Sequence, residues 1–246
     1  MFPYIDTTPW PFAPFFALVA IGLAAGFAIA AKRARRSGID PEHFAKLAVC
    51  VIVAAFLGGH IAKFAYVQEG WATLSHQPWR LLQVFNGLAS FGALLGGFVA
   101  AQIFLWRHRV PYRNWYLYAD AAAFAAPFGW SIGRLGCYLE HDHPGVRTTS
   151  FLGVRYPGGA RFDLGLLEML FLLLLAAAFL LLDRIRTPRG FYYVAFLFAY
   201  GIFRLVLDGL HVEAVRYGIW TVDHIAASIL IAGGVLTALD LIRLQM

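Results

Sequence analysis

Seven apolar stretches, each long enough to cross a bilayer, divide the chain: residues 12–31, 47–66, 84–106, 115–133, 164–182, 190–207 and 222–240. A helix needs about 20 mostly apolar residues to span the hydrocarbon core. The expected fold is an all-α integral membrane protein with seven transmembrane helices, one membrane domain over residues 1–246. Composition points the same way. Of 246 residues, 60% are hydrophobic and 14% charged, against roughly half and a quarter in a soluble domain. That excludes an ordinary soluble enzyme and a disordered tail. The first stretch carries no charge from Phe12 to Ala31, and its basic cluster follows it, the reverse of a cleaved signal peptide. Cys50 and Cys137 lie in or beside apolar runs and provide neither a disulfide framework nor a CxxC knuckle.

The net charge of +6 is explained by where the basic residues sit. Twelve Lys and Arg fall in one set of loops, among them Lys32, Arg33, Arg35, Arg36, Arg107, Arg109, Arg184 and Arg186. Six fall in the other set: Lys63, Arg80, Arg147, Arg155, Arg161 and Arg216. Basic loops stay cytoplasmic, so the N-terminus is expected outside and the C-terminus inside. The positive charge is then a topology signal, and no nucleic-acid partner is expected. Trp10, Trp71, Trp79, Trp106, Trp115, Tyr192 and Trp220 fall near the expected interfaces. Gly22/Gly26 and Gly92/Gly96 have the four-residue spacing of close helix packing. The segment at about 134–163 lies outside and is too long for a mere connector.

With this topology the polar residues are lopsided. His60, His76, His141, His143, His211 and His224 fall on or near the outer side, as do Glu140, Asp142, Asp163, Glu168, Asp208, Glu213 and Asp223. Ionisable groups at membrane depth face a bundle interior or a watery cavity, so a site at the outer leaflet is expected. Arg134 follows the long apolar run 116–133, and Arg204 sits inside the sixth stretch. An arginine cannot shed its charge there and needs an anion or carbonyls. One reading pairs them with carboxylates, Arg204 with Asp208 or Glu168. The other has two guanidiniums clamping a lipid phosphate, which suits their fork geometry. Between Gly133 and Gly145 lie Arg134, Glu140, His141, Asp142 and His143, closed by Pro144-Gly145, a turn signal. A metal held by the His-x-His and carboxylates of this run is an alternative, although the spacing is not diagnostic. HExxH, P-loop, GxSxG and dinucleotide motifs are absent.

These residues resemble the bacterial prolipoprotein diacylglyceryl transferases. That family has seven spans, an outside N-terminus and a pattern close to G-R-x-G-N-F-x-N-x-E-x-x-G. Gly133, Arg134, Gly136, an aromatic at Tyr138, an acid at Asp142 and Gly145 match it. Leu57-Gly-Gly-His-Ile61 resembles the family's L-G-G-R-I, and the run Gly87–Gly96 its G-x-S-F-H-G-G-L-x-G. Leu167-Glu168 resembles its L-Y-E, and Tyr200-Gly-Ile-Phe-Arg204 its Y-G-x-x-R. The departures are Phe91 where the family has a histidine, Cys137 and Glu140 at its two motif asparagines, and Asp142 for its glutamate.

The resemblance implies a multi-pass enzyme of the bacterial plasma (inner) membrane, working at the outer leaflet. It implies transfer of the diacylglyceryl group of phosphatidylglycerol to the cysteine thiol of a prolipoprotein signal peptide, with no metal or other cofactor needed. Lipid enters sideways from the bilayer. Arg134 and Arg204 would hold the phosphate, while Asp142 and Glu168 orient them or position the thiol. Gly133, Gly136, Gly145 and Glu140 would line the substrate site as motif residues. With Phe91 in place of the histidine, His143 or His141 is the replacement base, because imidazole titrates near neutral pH. Alternating residues of a loop point opposite ways, so one of the two faces the site, and a turn at Pro144-Gly145 favours His143. Two other classes remain open: a related headgroup transferase or hydrolase with another acceptor, and a non-catalytic lipid-binding or transport protein.

Overall fold

The computed structural model describes residues 1–6, 14–67, 70–82, 89–212 and 215–245. Trp10, Glu213 and the Gly87-Leu88 start of the third motif lie outside them. The chain is mostly helical: α1 (Pro14–Arg36), α2 (Pro41–Ala62), a short α3 (Gly70–His76), α4 (Ser90–Arg107), α5 (Tyr112–Glu140), α6 (Leu164–Leu182), α7 (Phe191–Asp208) and α8 (Val222–Gln245). Six helices, all but α3 and α5, are long and apolar enough to cross a membrane. They leave large apolar side chains exposed, such as Ile103, Leu174, Val206 and Leu236. Continuous exposed apolar surface of this kind marks a membrane-facing protein.

The expected fourth stretch lies within α5, which runs for 29 residues and is longer than 115–133 at both ends. Its added turns carry Arg113 and Arg134, and Asp120 lies in its first third, so it is less apolar than the others. It tolerates this because α1, α6 and α7 pack around it. The seams use small residues. A Cβ on Gly22 of α1 would strike the Gly129 carbonyl of α5, and one on Gly58 of α2 the Gly92 carbonyl of α4. Glycine allows these backbones to touch.

The helices are fixed at their ends. α1 continues through the basic run to Gly38, whose φ of +79° suits glycine. The Gly38 and Ile39 N–H groups donate back to the Arg35 and Ala34 carbonyls at 3.0 Å each, a glycine-terminated helix stop. Asp40 caps α2, accepting from the His43 N–H at 2.7 Å, with Pro41 as the first helical residue. Asp120 of α5 accepts from the Gly190 and Tyr193 N–H groups at 2.6 and 3.0 Å and so caps α7.

At the opposite end, residues 144–163 form a three-stranded antiparallel sheet of β1 (Pro144–Arg147), β2 (Val154–Tyr156) and β3 (Gly159–Asp163), ordered β1-β3-β2. Phe2 extends it beside β2. A second, short hairpin joins β4 (Arg216–Tyr217) to β5 (Trp220–Thr221). Two expectations are corrected here. Residues 134–140 are not a loop, because α5 continues to Glu140. Pro144-Gly145 opens β1 and makes no turn; the chain reverses at His141, which ends α5 in the left-handed region at φ +51°. Proline fits the first position of a strand, where its missing N–H costs no ladder bond.

Candidate functional site

Five helix ends meet on the sheet side of the bundle. Ser90 is the first residue of α4, Arg134 lies two turns before the end of α5, and Glu168 lies one turn into α6. Arg204 lies one turn before the end of α7, and Asp223 is the second residue of α8. All but Ser90 are buried, and the Glu168 residue is 1% exposed.

Glu168 is the hub. Its Oε1 lies 3.1 Å from the Arg134 Nε, and its Oε2 accepts from the Arg204 Nη1 at 3.1 Å. The buried Tyr200 hydroxyl donates to Oε1 at 2.8 Å. Arg134 also donates to the Ser90 Oγ at 2.9 Å and to the Cys137 Sγ at 3.4 Å. Arg204 donates to the Asp223 Oδ2 at 2.6 Å, and Tyr66 donates to the other Asp223 oxygen at 2.7 Å. The pairing of Arg204 with Glu168 is thus present, and that with Asp208 is not. Asp208 accepts instead from the Thr221 hydroxyl at 2.7 Å and lies 2.5 Å from the His224 Nδ1. A guanidinium has five N–H donors. Among the described residues the buried Nε–H of neither arginine has a hydrogen-bond acceptor in line.

The turn after α5 sorts its polar residues. His141 is buried and turned to the sheet: its Nδ1–H donates to the Asp163 Oδ2 at 2.8 Å, and its Nε2 accepts from the Ile5 N–H at 3.2 Å. Those two bonds set one neutral tautomer and give this histidine a structural role. Asp163 also caps α6 and accepts from the Tyr156 hydroxyl at 2.7 Å. Asp142 and His143 project the other way, toward Cys137, with ligand atoms of all three within 4.8 Å of one another. Partial burial raises the Asp142 carboxyl, opposed by His143, and the same cause holds the His143 imidazole below its ordinary value. Glu140 is not at the arginines, since its carboxylate accepts from the Phe15 N–H at 3.2 Å. Gly133 and Gly136 face Val19 and Phe15 of α1, and Gly145 packs its backbone against Leu210 and Phe162. These three glycines and Glu140 therefore fit the scaffold. Of the other outer-side histidines, His60 lies beside the Leu81 carbonyl at 2.8 Å, and the His211 ring lies within 4.8 Å of carboxylate oxygens of Asp208 and Asp223, next to the Arg204 end of the site.

The model of the prolipoprotein diacylglyceryl transferase family matches residues 5–239. The chain belongs to this family. It is similar to proteins named phosphatidylglycerol–prolipoprotein diacylglyceryl transferase from Symbiobacterium thermophilum, at 27% identity over 80% of this chain and 76% of the relative. The relative from Clostridioides difficile is 26% identical over 89% of this chain and 86% of its own length. That from Synechococcus elongatus is 26% identical over 89% and 80%.

Within this diacylglyceryl transferase family member, the matching motif residues Arg134, Glu168 and Arg204 form one connected chain. The departures gather against it. The Phe91 ring lies 5.2 Å below the Arg204 guanidinium and 6.5 Å from the Tyr200 ring. Cys137 lies against Arg134. Ser90, Tyr200 and Asp223 join the site without having been given a role from sequence, although Tyr200 opens a matched motif and Asp223 is one of the outer acids. Tyr200 was legible, because it precedes Arg204 by four residues and so shares its helix face. Ser90 and Asp223 arrive from distant helices, and no local spacing marks them.

Proposed function

We propose that this protein transfers the diacylglyceryl group of phosphatidylglycerol to a signal-peptide cysteine, as seven spans with the site toward the outer leaflet, α5 being the seventh. The observation that carries this reading is the buried Arg134–Glu168–Arg204 chain, two guanidiniums held on one carboxylate, with the Arg204 Nε–H left without an acceptor among the described residues. The amino ends of α4 and α8 sit at Ser90 and Asp223 and add partial positive charge. A phosphodiester docked there meets donors that cannot lose their protons. As sulfur attacks the glycerol carbon, the leaving glycerol phosphate gains negative charge, and preorganised donors in a dry site favour that change. Glu168 holds both arginines in register. The acceptor thiol arrives at the Asp142–His143 edge, where it loses its proton, and Arg134 favours the thiolate.

The test is reconstitution with phosphatidylglycerol and a cysteine-bearing signal peptide, following both thioether product and released glycerol phosphate. The transferase forms both. Glycerol phosphate without thioether would mean a hydrolase, and neither product a lipid-binding protein. Orientation is tested by Ser150→Cys between β1 and β2 in a background lacking Cys50. Labelling from outside intact cells is expected, and labelling only after the inner face is opened overturns it.

A further inference from the structure

Each guanidinium of the buried pair has its own polar neighbours. Cys137, Asp142 and His143 flank Arg134, and Asp208, His211 and Asp223 flank Arg204, with polar atoms of each set within 4.8 Å of one another. In the proposed reaction the acceptor thiol arrives at the first set. A phosphodiester seated on both arginines sends one ester oxygen toward each set. The oxygen on the Arg134 side leads to the carbon that sulfur attacks, so the lipid headgroup lies on the Arg204 side.

Arg204 already fills the place of a cation in the second set. Asp223 accepts from Arg204 and Tyr66 at 2.6 and 2.7 Å, and Asp208 accepts from Thr221 at 2.7 Å. His211 is the member left open. Its Nδ1 is buried, lies 3.8 Å from the Asp208 Oδ1 and has no hydrogen-bond partner among the described residues. The Nε–H of Arg204 lacks an acceptor as well. A buried polar atom left unpaired carries a cost that a bound group removes. Burial holds the His211 imidazole below its ordinary value against the pull of Asp223, so at pH 7 it is neutral, with one N–H and one bare nitrogen.

The spacing defines what fits. A hydroxyl oxygen makes hydrogen bonds of about 2.7–2.8 Å, and three atoms about 4.8 Å apart all lie at that distance from a single point between them. The backbone fixes this spacing. His211 is bridged to Gly145 of β1, and the Val146 N–H donates to the Leu210 carbonyl at 2.9 Å. A Cβ on Gly145 would lie 2.9 Å from that carbonyl, so glycine lets the strand come this close.

We infer that His211, with Asp208 and the shared Arg204, forms a subsite that reads the headgroup hydroxyls of phosphatidylglycerol. This rests on the transferase reading above. The headgroup glycerol carries two neutral hydroxyls, each a donor and an acceptor. One of them donates to the Asp208 oxygen and accepts from the His211 N–H. An alkyl headgroup of the same size leaves both protein groups unpaired, and sites built to bond a substrate hydroxyl reject analogues that lack it.

The test places the full-length protein in phosphatidylcholine nanodiscs with a cysteine-bearing signal peptide. It is offered phosphatidylglycerol or phosphatidylpropanol, a lipid of the same charge whose headgroup has no hydroxyl. Binding is read by displacement of acyl-labelled phosphatidylglycerol, and turnover by thioether formation. Wild type should prefer phosphatidylglycerol by about 10–10²-fold, the scale of hydrogen bonds to charged groups. His211→Ala should bring that ratio close to one, and His211→Asn, whose amide stands near the Nδ1 position, should restore part of it. A role in folding alone would weaken both lipids equally and keep the ratio. Wild type that treats the two lipids alike, or His211→Ala with the wild-type ratio, overturns the subsite. Thioether formed from phosphatidylglycerol in that case leaves the transferase reading standing. A binding preference that depends on His211, with no thioether product, overturns that reading and keeps the subsite.

Discussion

Arg33 and the Arg134–Arg204 pair are all arginines on long helices, yet they are held differently. Arg33, near the basic end of α1, donates to Asp183 at 2.7 Å and lies over the edge-on Phe124 and Tyr192 pair, 4.0 and 4.3 Å from the ring centroids. Its carboxylate partner is 32% exposed. One cation, one anion and two aromatic faces make a closed contact that ties α1 to the ends of α6 and α7. Arg134 and Arg204 are deeper, and they share one carboxylate that is 1% exposed. The first arrangement uses charge to fasten helices. The second holds two cations side by side on one shared carboxylate, the arrangement that the proposed phosphate clamp uses.

The largest difference should come from removing the carboxylate on each side. Glu168→Ala leaves two guanidiniums in a dry site, a loss of about 3–5 kcal/mol for a broken buried pair. Asp183→Ala, with a partly exposed pair, should cost about 0.2–1 kcal/mol. Thermal unfolding in detergent compares the two. Equal losses would mean that the deep pair is no more strained by unpairing than the shallow one.

The two histidines of the α5 turn sharpen the same contrast between fastening and chemistry. His143→Gln should cut the transfer rate by about 10²-fold or more, the scale of a lost thiol-activating group. His141→Gln should leave the rate near wild type but lower stability, since it breaks the buried contact with Asp163. Phe91→His should keep activity. Rate and melting temperature measured on the same preparations separate these outcomes, and a reversed pattern would place the reactive edge on the sheet side.

The smallest effects on the transfer rate belong to the seams. Gly22→Ala drives a methyl into the Gly129 carbonyl and should cost about 1–3 kcal/mol. Gly133→Ala meets only Val19 at 3.8 Å and should be near neutral. Both should leave the rate unaltered in the fraction that folds. A rate loss specific to Gly133→Ala would return this glycine to the substrate site.

Much of this was readable from the chain. The apolar stretches located the long helices because lipid demands length and hydropathy, which are local properties. Arg134 and Arg204 stood out because charge in an apolar run is costly. What failed was local geometry around those charges. Arg134 looked like a helix end, yet α5 continues beyond it, because Glu168 and Ser90 neutralise and cap what bilayer would have rejected. Pro144-Gly145 looked like the reversal, but His141 makes it, and a histidine in the left-handed region leaves no sequence signal. Glu140 and the motif glycines resembled site residues by position. Glu140, Gly133 and Gly136 contact α1 and Gly145 packs against Leu210 and Phe162, so the same motif also serves packing. Asp223 and Ser90 depend on how α8 and α4 dock, which no spacing reports.

The most direct test of the phosphate clamp pairs Arg134→Lys with Arg33→Lys in phosphatidylglycerol vesicles supplied with a cysteine-bearing signal peptide, measuring glycerol phosphate release and confirming that both proteins insert. Lysine keeps the charge but loses the planar fork. Arg134→Lys should fall by about 10²–10³-fold, as when a donor to developing charge is removed, while Arg33→Lys turns over at the wild-type rate. Release by Arg134→Lys at the wild-type rate, or equal losses in the two variants, would contradict the assignment of the deep arginines to the lipid phosphate.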